Sequence, residues 1–328
     1  MPRPRTLRTT ETGARQVTGA LVAALTYFQL VQAPANAKVF LDTQVYGDRE
    51  LVVATINKCK QKIRNAIVES PELAGELFNV AINDALGFDV ASGEGGPDGS
   101  LILDAEAKRT DNAGLLRALQ EVQRIKKELQ RTNALSFADV ISFAGAEALE
   151  ALGCPRVVVQ VGRVDSTTPN TKGGIDFSND TGADILNRFA SSGVTKADTA
   201  LLLGAVGEIR RILAETAAAA GQKTAAVEDD DDKLDGDESF QEAVPSTFGS
   251  MAEIFGKRVG KGFTSRYLST VLKDKGGPST IDRLLFDDAA LRSVLSKYAG
   301  NDKAFTDALI PAYLRLSLLG AAYSTRNS

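Results

Sequence analysis

The sequence predicts an all-α protein of two helical lobes with very little β structure. Three observations carry that expectation. Apolar residues recur at intervals of three and four along most of the chain, and Ser or Thr followed three residues later by Asp opens several of these stretches. The one clear β-branched run, Val157-Val158-Val159-Gln160-Val161, is followed at once by Gly162 and needs only a short strand or extended arm. No fixed-period repeat is present, which excludes a solenoid.

Residues 1–16 carry Arg3, Arg5, Arg8 and Arg15 against a single acid, Glu11; residues 17–31 are almost uncharged and mainly apolar, and Ala35-Asn36-Ala37 follows. A basic start, a short apolar stretch and a small-residue site predict a cleavable export signal over 1–37, cut after Ala37. The apolar run falls short of the roughly 20 residues of a spanning helix, an uncleaved anchor being the alternative. Cleavage removes four basic and one acidic residue, leaving 38–328 with 34 basic against 41 acidic side chains, net −7.

In the mature region, Ser70-Pro71-Glu72 reads as N-cap, first-position proline and first-turn acid of a helix with Leu73, Leu77, Val80, Ala81 and Leu86 on its apolar side. From 112 to 130 the stripe Leu115, Leu119, Val122, Ile125 and Leu129 faces a core. Ser136 with Asp139 resembles a capping box before Val140, Ile141, Phe143, Ala144 and Leu149, and Gly153-Cys154-Pro155 ends that helix. Thr195 with Asp198 repeats the device before an alanine- and leucine-rich run to Ala220. Helices over 287–298 and 301–319, separated by Gly300, close the chain, with a kink expected at Pro311.

Composition excludes much chemistry. The 328 residues contain no histidine, so no His-ligated haem, His-containing zinc site or Ser-His-Asp or Cys-His arrangement can be built. A net charge of −4 from 38 Lys plus Arg and 42 Asp plus Glu, without a dense basic stripe, argues against nucleic acid as a partner. Tryptophan is absent. Cys59 and Cys154 are too few for a disulfide framework and lack CxxC spacing; two buried free thiols are the expected state, one long-range disulfide the alternative.

Three motifs invite a functional reading. Gly93-Glu94-Gly95-Gly96-Pro97-Asp98-Gly99-Ser100 lacks the Lys-Ser/Thr pair of a P-loop and follows a helix, so it reads as a structural turn. The acidic loop 228–242 places Asp231, Asp235, Gly236 and Glu242 at positions 1, 5, 6 and 12 of an EF-hand-like spacing. Lys233 at the third position and Glu238 at the eighth oppose Ca²⁺, and the stretch reads as a solvated loop suited to docking a basic partner. Asp84 and Asp89 would make a paired-carboxylate site only if the fold joined them; hydrogen-bonded structural roles are expected.

The order of these pieces resembles the haem peroxidases of the ascorbate-peroxidase type, through most of the mature chain. Asn79-Val80-Ala81-Ile82-Asn83-Asp84-Ala85 is similar to that family's distal helix and Gly95-Gly96-Pro97-Asp98-Gly99-Ser100 to its distal loop. Asp104-Ala105-Glu106-Ala107-Lys108 and Asn112-Ala113-Gly114-Leu115 are similar to the segment that follows. Leu135-Ser136-Phe137-Ala138-Asp139 and Gly162-Arg163-Val164-Asp165 resemble the central helix and the turn behind it. Lys297-Tyr298-Ala299, Ala304-Phe305 and Leu318-Leu319-Gly320-Ala321 resemble the last two helices. The resemblance implies a two-lobed haem-peroxidase-like helical fold, with a distal lobe over about 38–165 and a proximal lobe over about 166–328.

The same resemblance implies that the catalytic positions are degenerate. Asn79 stands for the distal arginine, Ile82 for the distal aromatic and Asn83 for the distal histidine. In Leu203-Gly204-Ala205-Val206-Gly207 it is Val206 that takes the place of the iron ligand, and in Phe263-Thr264-Ser265-Arg266-Tyr267 it is Thr264 that replaces the proximal aspartate. An aliphatic side chain cannot ligate iron, and without a general base peroxide is not deprotonated. No haem, other cofactor or metal is therefore expected. The pattern is similar to the non-haem ascorbate-peroxidase-like proteins of the thylakoid lumen, which implies a lumenal accessory module associated with photosystem II and touching the membrane only peripherally. Two other classes are weighed beside it: a small-molecule site for ascorbate, with Arg163 supplying positive charge, and a thiol-dependent peroxidase using Cys59, beside Lys58, Lys60 and Lys62, or Cys154.

Overall fold

Helix follows helix through the computed structural model, which describes residues 43–129, 135–172, 174–227 and 262–323, the side chains of 43–48 and 219–227 excepted. The expected export signal 1–37 and the acidic loop 228–242 lie outside the described residues. The chain divides into two units, Met1–Arg49 and Glu50–Ser328. The packing described below concerns the second.

Helices α1 (Thr43–Glu69), α2 (Leu73–Ala85), the single turn α3 (Asp104–Ala107), α4 (Leu116–Leu129) and α5 (Phe137–Ala151) come first. After them run α6 (Gly182–Ser191), α7 (Lys196–Val227), α8 (Arg266–Lys273), α9 (Thr280–Asp287), α10 (Ala289–Tyr298) and α11 (Asp302–Leu316). Among the described residues there is no strand, only the isolated bridges Asp89 with Glu94 and Arg163 with Tyr323. The valine run is an extended arm: Val157 and Val159 turn inward while Val158 is 67% exposed.

The stripes place the core. Leu73, Leu77, Val80, Ala81 and Leu86 are buried, as are Leu115, Leu119, Val122, Ile125 and Leu129. α2 packs lengthwise on α5 because Gly145 carries no side chain. A Cβ there would lie 2.3 Å from the Tyr313 hydroxyl and 2.6 Å from Ala81 Cβ. Tyr313 uses that space to donate to the Ser142 carbonyl (2.6 Å) and to stack on Phe78, centroids 5.8 Å apart.

Several helix ends differ from the sequence reading, each for a stated reason. Ser70 caps nothing with its side chain; its carbonyl accepts from Leu73 N–H (3.0 Å), so α2 begins at Leu73. A 3₁₀ segment, Thr110–Leu115, precedes α4. The expected helix 287–298 starts two residues later, because Asp287 ends α9 and the Asp288 carboxylate accepts from the amides of Ala290 and Leu291 to start α10. α11 carries Pro311 inside it and stops at Leu316, three residues before the expected end.

The capping boxes are half-made. Ser136 Oγ accepts from Asp139 N–H (3.0 Å), yet the Asp139 carboxylate turns away to Gly162 N–H (2.8 Å), Arg163 N–H (3.3 Å) and the Arg163 guanidinium (3.0 Å). Asp165 serves the next two donors of the helix end, its two oxygens accepting from Phe137 and Ala138 N–H at 2.9 Å. Likewise Thr195 caps Asp198 N–H, and Asp198 pairs with Arg315 (2.5 Å). Complete boxes occur at Thr181 with Asp184 and Ser279 with Asp282, which open α6 and α9.

Candidate functional site

The side of α2 that carries Ile82 and Asn83 is closed to solvent: Ile82 is fully buried and Asn83 nearly so, while Asn79, one turn earlier, is half-buried. Asn83 spends both ends of its amide on the backbone of one residue. Ile175 N–H donates to Asn83 Oδ1 (2.7 Å), and Asn83 Nδ2 donates to the Ile175 carbonyl (3.2 Å). This is the pairing a neighbouring strand would give, and it leaves the amide no proton-transfer role. Gly174 makes the close approach feasible, since a Cβ there would sit 2.5 Å from Asn112 Oδ1 and 3.2 Å from the Asn83 amide; its own N–H is held by Asp111 (2.7 Å).

Two residues further on, the same segment meets α7. Phe177 is buried, and the Arg210 guanidinium lies over its ring at 5.9 Å from the centroid. Residues 174–177 therefore form a strap running from Asn83 on α2 to Arg210 on α7. The two helices also touch directly, Gly75 facing the side chains of Ile209 and Leu213.

On α7, Val206 is buried and aliphatic. Thr264 does not act with it; its hydroxyl and N–H donate to Glu208 Oε1 (2.6 and 3.0 Å). Glu208, fully buried, also accepts from Tyr267 N–H (3.0 Å) and pairs with Arg211 (2.7 Å). The start of α8 is thus bolted to α7 by a carboxylate, and the Tyr267 ring lies where any side chain at Gly207 would fall, 2.0 Å from its Cβ position. Tyr267 donates on to Asp282 (2.5 Å).

Asp84 and Asp89 are not brought together. Asp84 is fully buried under the glycine loop, Oδ2 accepting from Gly99 N–H (3.2 Å) and Oδ1 without a partner; burial, then Asp98 and Glu106, raise its carboxyl well above the usual range. Asp89 sits in a surface turn paired with Lys172 (2.6 Å), which lowers it. The glycine loop is the expected structural turn. Gly96 has φ 123° and its Cβ position lies 2.3 Å from the Leu319 carbonyl, so the loop seats on the end of α11 and presents no phosphate cradle.

These residues do not fit haem. Val206, expected at the ligand position, is a buried aliphatic side chain; the Asn83 amide, expected at the distal position, is committed to the strap, and Thr264 is committed to Glu208. The thiols offer no substitute: Cys59 and Cys154 are free and buried, and burial, reinforced by Glu147 at the first and Glu150 at the second, pushes both up to about 12. That corrects the reading of Cys59 as a thiol activated by its lysines, because Lys60 is drawn to Glu147 (2.7 Å) and desolvation outweighs the cations. Arg163 is likewise no surface charge for ascorbate. Its guanidinium is buried on Asp139 and the carbonyls of Ser317 and Gln160.

Sequence reasoning found Asn83, Val206 and Thr264 but not what holds them. Ile175, Phe177, Arg210 and Glu208 carry no local signal, the Asn83 contact spanning 92 positions.

Comparison with known proteins bears on the family and the fold. The peroxidase family model matches residues 59–301. Over 274 residues the chain is 29% identical to cytosolic L-ascorbate peroxidase 1 of Oryza sativa subsp. japonica, covering 81% of this chain and 93% of that one. It is 34% identical over 97 residues to the chloroplastic thylakoid lumenal 29 kDa protein of Arabidopsis thaliana, covering 29% of this chain and 28% of that one. The crystal structure of the TL29 protein from Arabidopsis thaliana shares the fold, with a TM-score of 0.51 at 17% identity over 85% of this chain and 98% of that one.

Proposed function

The chain belongs to the peroxidase family, and we propose that it is a catalytically inactive, non-haem member acting in the thylakoid lumen as a binding or accessory module associated with photosystem II. The observation that carries the loss of catalysis is the strap. A distal position whose side chain is hydrogen-bonded at both ends to a buried peptide cannot deprotonate peroxide, and an aliphatic Val206 cannot hold iron. Similarity to a thylakoid lumenal protein supports the compartment, and the basic, apolar and small-residue order of 1–37 supports export. With the former chemistry gone, helix faces and charge are what the molecule has left to offer a partner.

Two experiments test the reading. Purified mature protein titrated with haemin is expected to show no Soret band of a five- or six-coordinate complex and no peroxidase turnover with ascorbate. Tagged protein recovered from thylakoid membranes under native conditions is expected to co-migrate with photosystem II subunits. Tight haem binding would sink the first half, and recovery as a lone soluble monomer the second.

A further inference from the structure

Asp84 is the group in this fold whose surroundings are least explained by packing. It is fully buried; Oδ2 accepts from Gly99 N–H, the backbone at Leu101 also bears on the carboxyl, and Oδ1 has no hydrogen-bond partner. An ionised carboxylate would want that second oxygen filled, whereas a neutral carboxyl leaves a far smaller deficit. The charges around it are of its own sign. Asp98, in the loop above, has one oxygen on Ser100 N–H (3.0 Å), and Glu106, on α3, accepts from Asn170 N–H (2.8 Å) and pairs with Arg109 (3.0 Å).

The remaining titratable neighbours are already engaged. From α11, Tyr313 gives its proton to the Ser142 carbonyl. From α5, Asp139 faces Arg163, and Glu147 faces Lys60 and Arg64. Asp165 caps α5. No cation among the described residues pairs with Asp84.

We propose that the glycine loop over residues 95–103 is a proton-gated clasp, closed while the Asp84 carboxyl holds its proton and loosened when that proton leaves. Ionisation puts a further negative charge on a fully buried carboxyl beside the acidic side chains of Asp98 and Glu106. Relief comes by lifting the loop. An open cleft of about 410 Å³, lined among others by Glu94, Gly95, Asp98 and Asn170, already brings solvent to the loop's outer side. Burial and the neighbouring carboxylates raise Asp84, and burial raises Asp98 and Glu106, which fixes the direction. The folded state binds the proton more tightly than the unfolded chain, so the closed form is favoured at acid pH. Its advantage falls as pH climbs above the ordinary carboxylate range, and the fall ends at the raised value.

The test is amide hydrogen exchange on the full chain between pH 5 and 9, corrected for intrinsic exchange. Protection of Gly99 and Leu101 is expected to fall tenfold or more with rising pH, while the amides of α10 hold steady. In Asp84→Asn the loop protection is expected to be flat. An equal fall in Asp84→Asn, or no fall in the unaltered chain, overturns the clasp. Should that variant fail to fold, the carboxyl ¹³C shift of Asp84 in the unaltered protein decides. A midpoint well above the ordinary value of about 4 supports the clasp, and one at or below it overturns it.

Discussion

Asn83 shows how one residue type can close a site. Histidine in its place would carry a proton-accepting nitrogen on a rigid ring, whereas asparagine presents a donor and an acceptor side by side, the complement of the N–H and C=O of one extended residue. Here that complement is Ile175, whose N–H and C=O are both buried. Asn83→Ala would leave both without partners at a cost of about 2–4 kcal/mol. Chemical denaturation is expected to show that loss with an unchanged m-value; a variant as stable as the parent would mean the strap is held by its other contacts, Gly174 with Asp111 and Phe177 with Arg210. The identity of residue 83 was legible in the sequence, and so was its incapacity for acid-base work. Its partner was not, because nothing local to 174–177 says that this segment turns back onto α2.

At the scale of elements, the helices were legible where their stripes were complete, and their ends were legible only in part. Ser136 and Thr195 do cap as their spacing predicts. The aspartates that should have returned the bond are taken by arginines distant in sequence, Arg163 for Asp139 and Arg315 for Asp198. A carboxylate at the third helical position satisfies one N–H if it stays local and ties two elements if it leaves. For Asp139 the buried Arg163 makes leaving the stronger option. Asp139→Ala is accordingly expected to cost about 3–5 kcal/mol, since it strands the Arg163 guanidinium where only carbonyls remain to receive it. Replacing both members together, Asp139→Ala with Arg163→Met, is expected to restore part of the loss in the same unfolding assay. Additive losses would show that the two side chains act separately. The short helices α6, α8 and α9 escaped the sequence reading because eight to ten residues give too few turns for a stripe. The boxes at Thr181 and Ser279 were their available signal.

Across the whole molecule, contacts that join segments far apart in the chain hold the positions that the resemblance singles out. The distal position bonds to the strap, the strap meets α7, and on α7 Glu208 gathers Thr264, Tyr267 and Arg211. The cysteines report on this framework as a unit, because Cys59 on α1 and Cys154 just after α5 are both buried with thiols pushed up to about 12. At pH 8 an ordinary exposed thiol is partly thiolate and reacts readily, whereas these two must first be uncovered. Mild treatment of the native protein with a disulfide reagent is expected to label neither within the time that labels both in denaturant. The slow native reaction is expected to follow the population of unfolded chain as denaturant is added. A fast phase confined to Cys59 would instead mean that α1 opens by itself, detaching Lys60 and Arg64 from Glu147 while the rest of the helices stay folded.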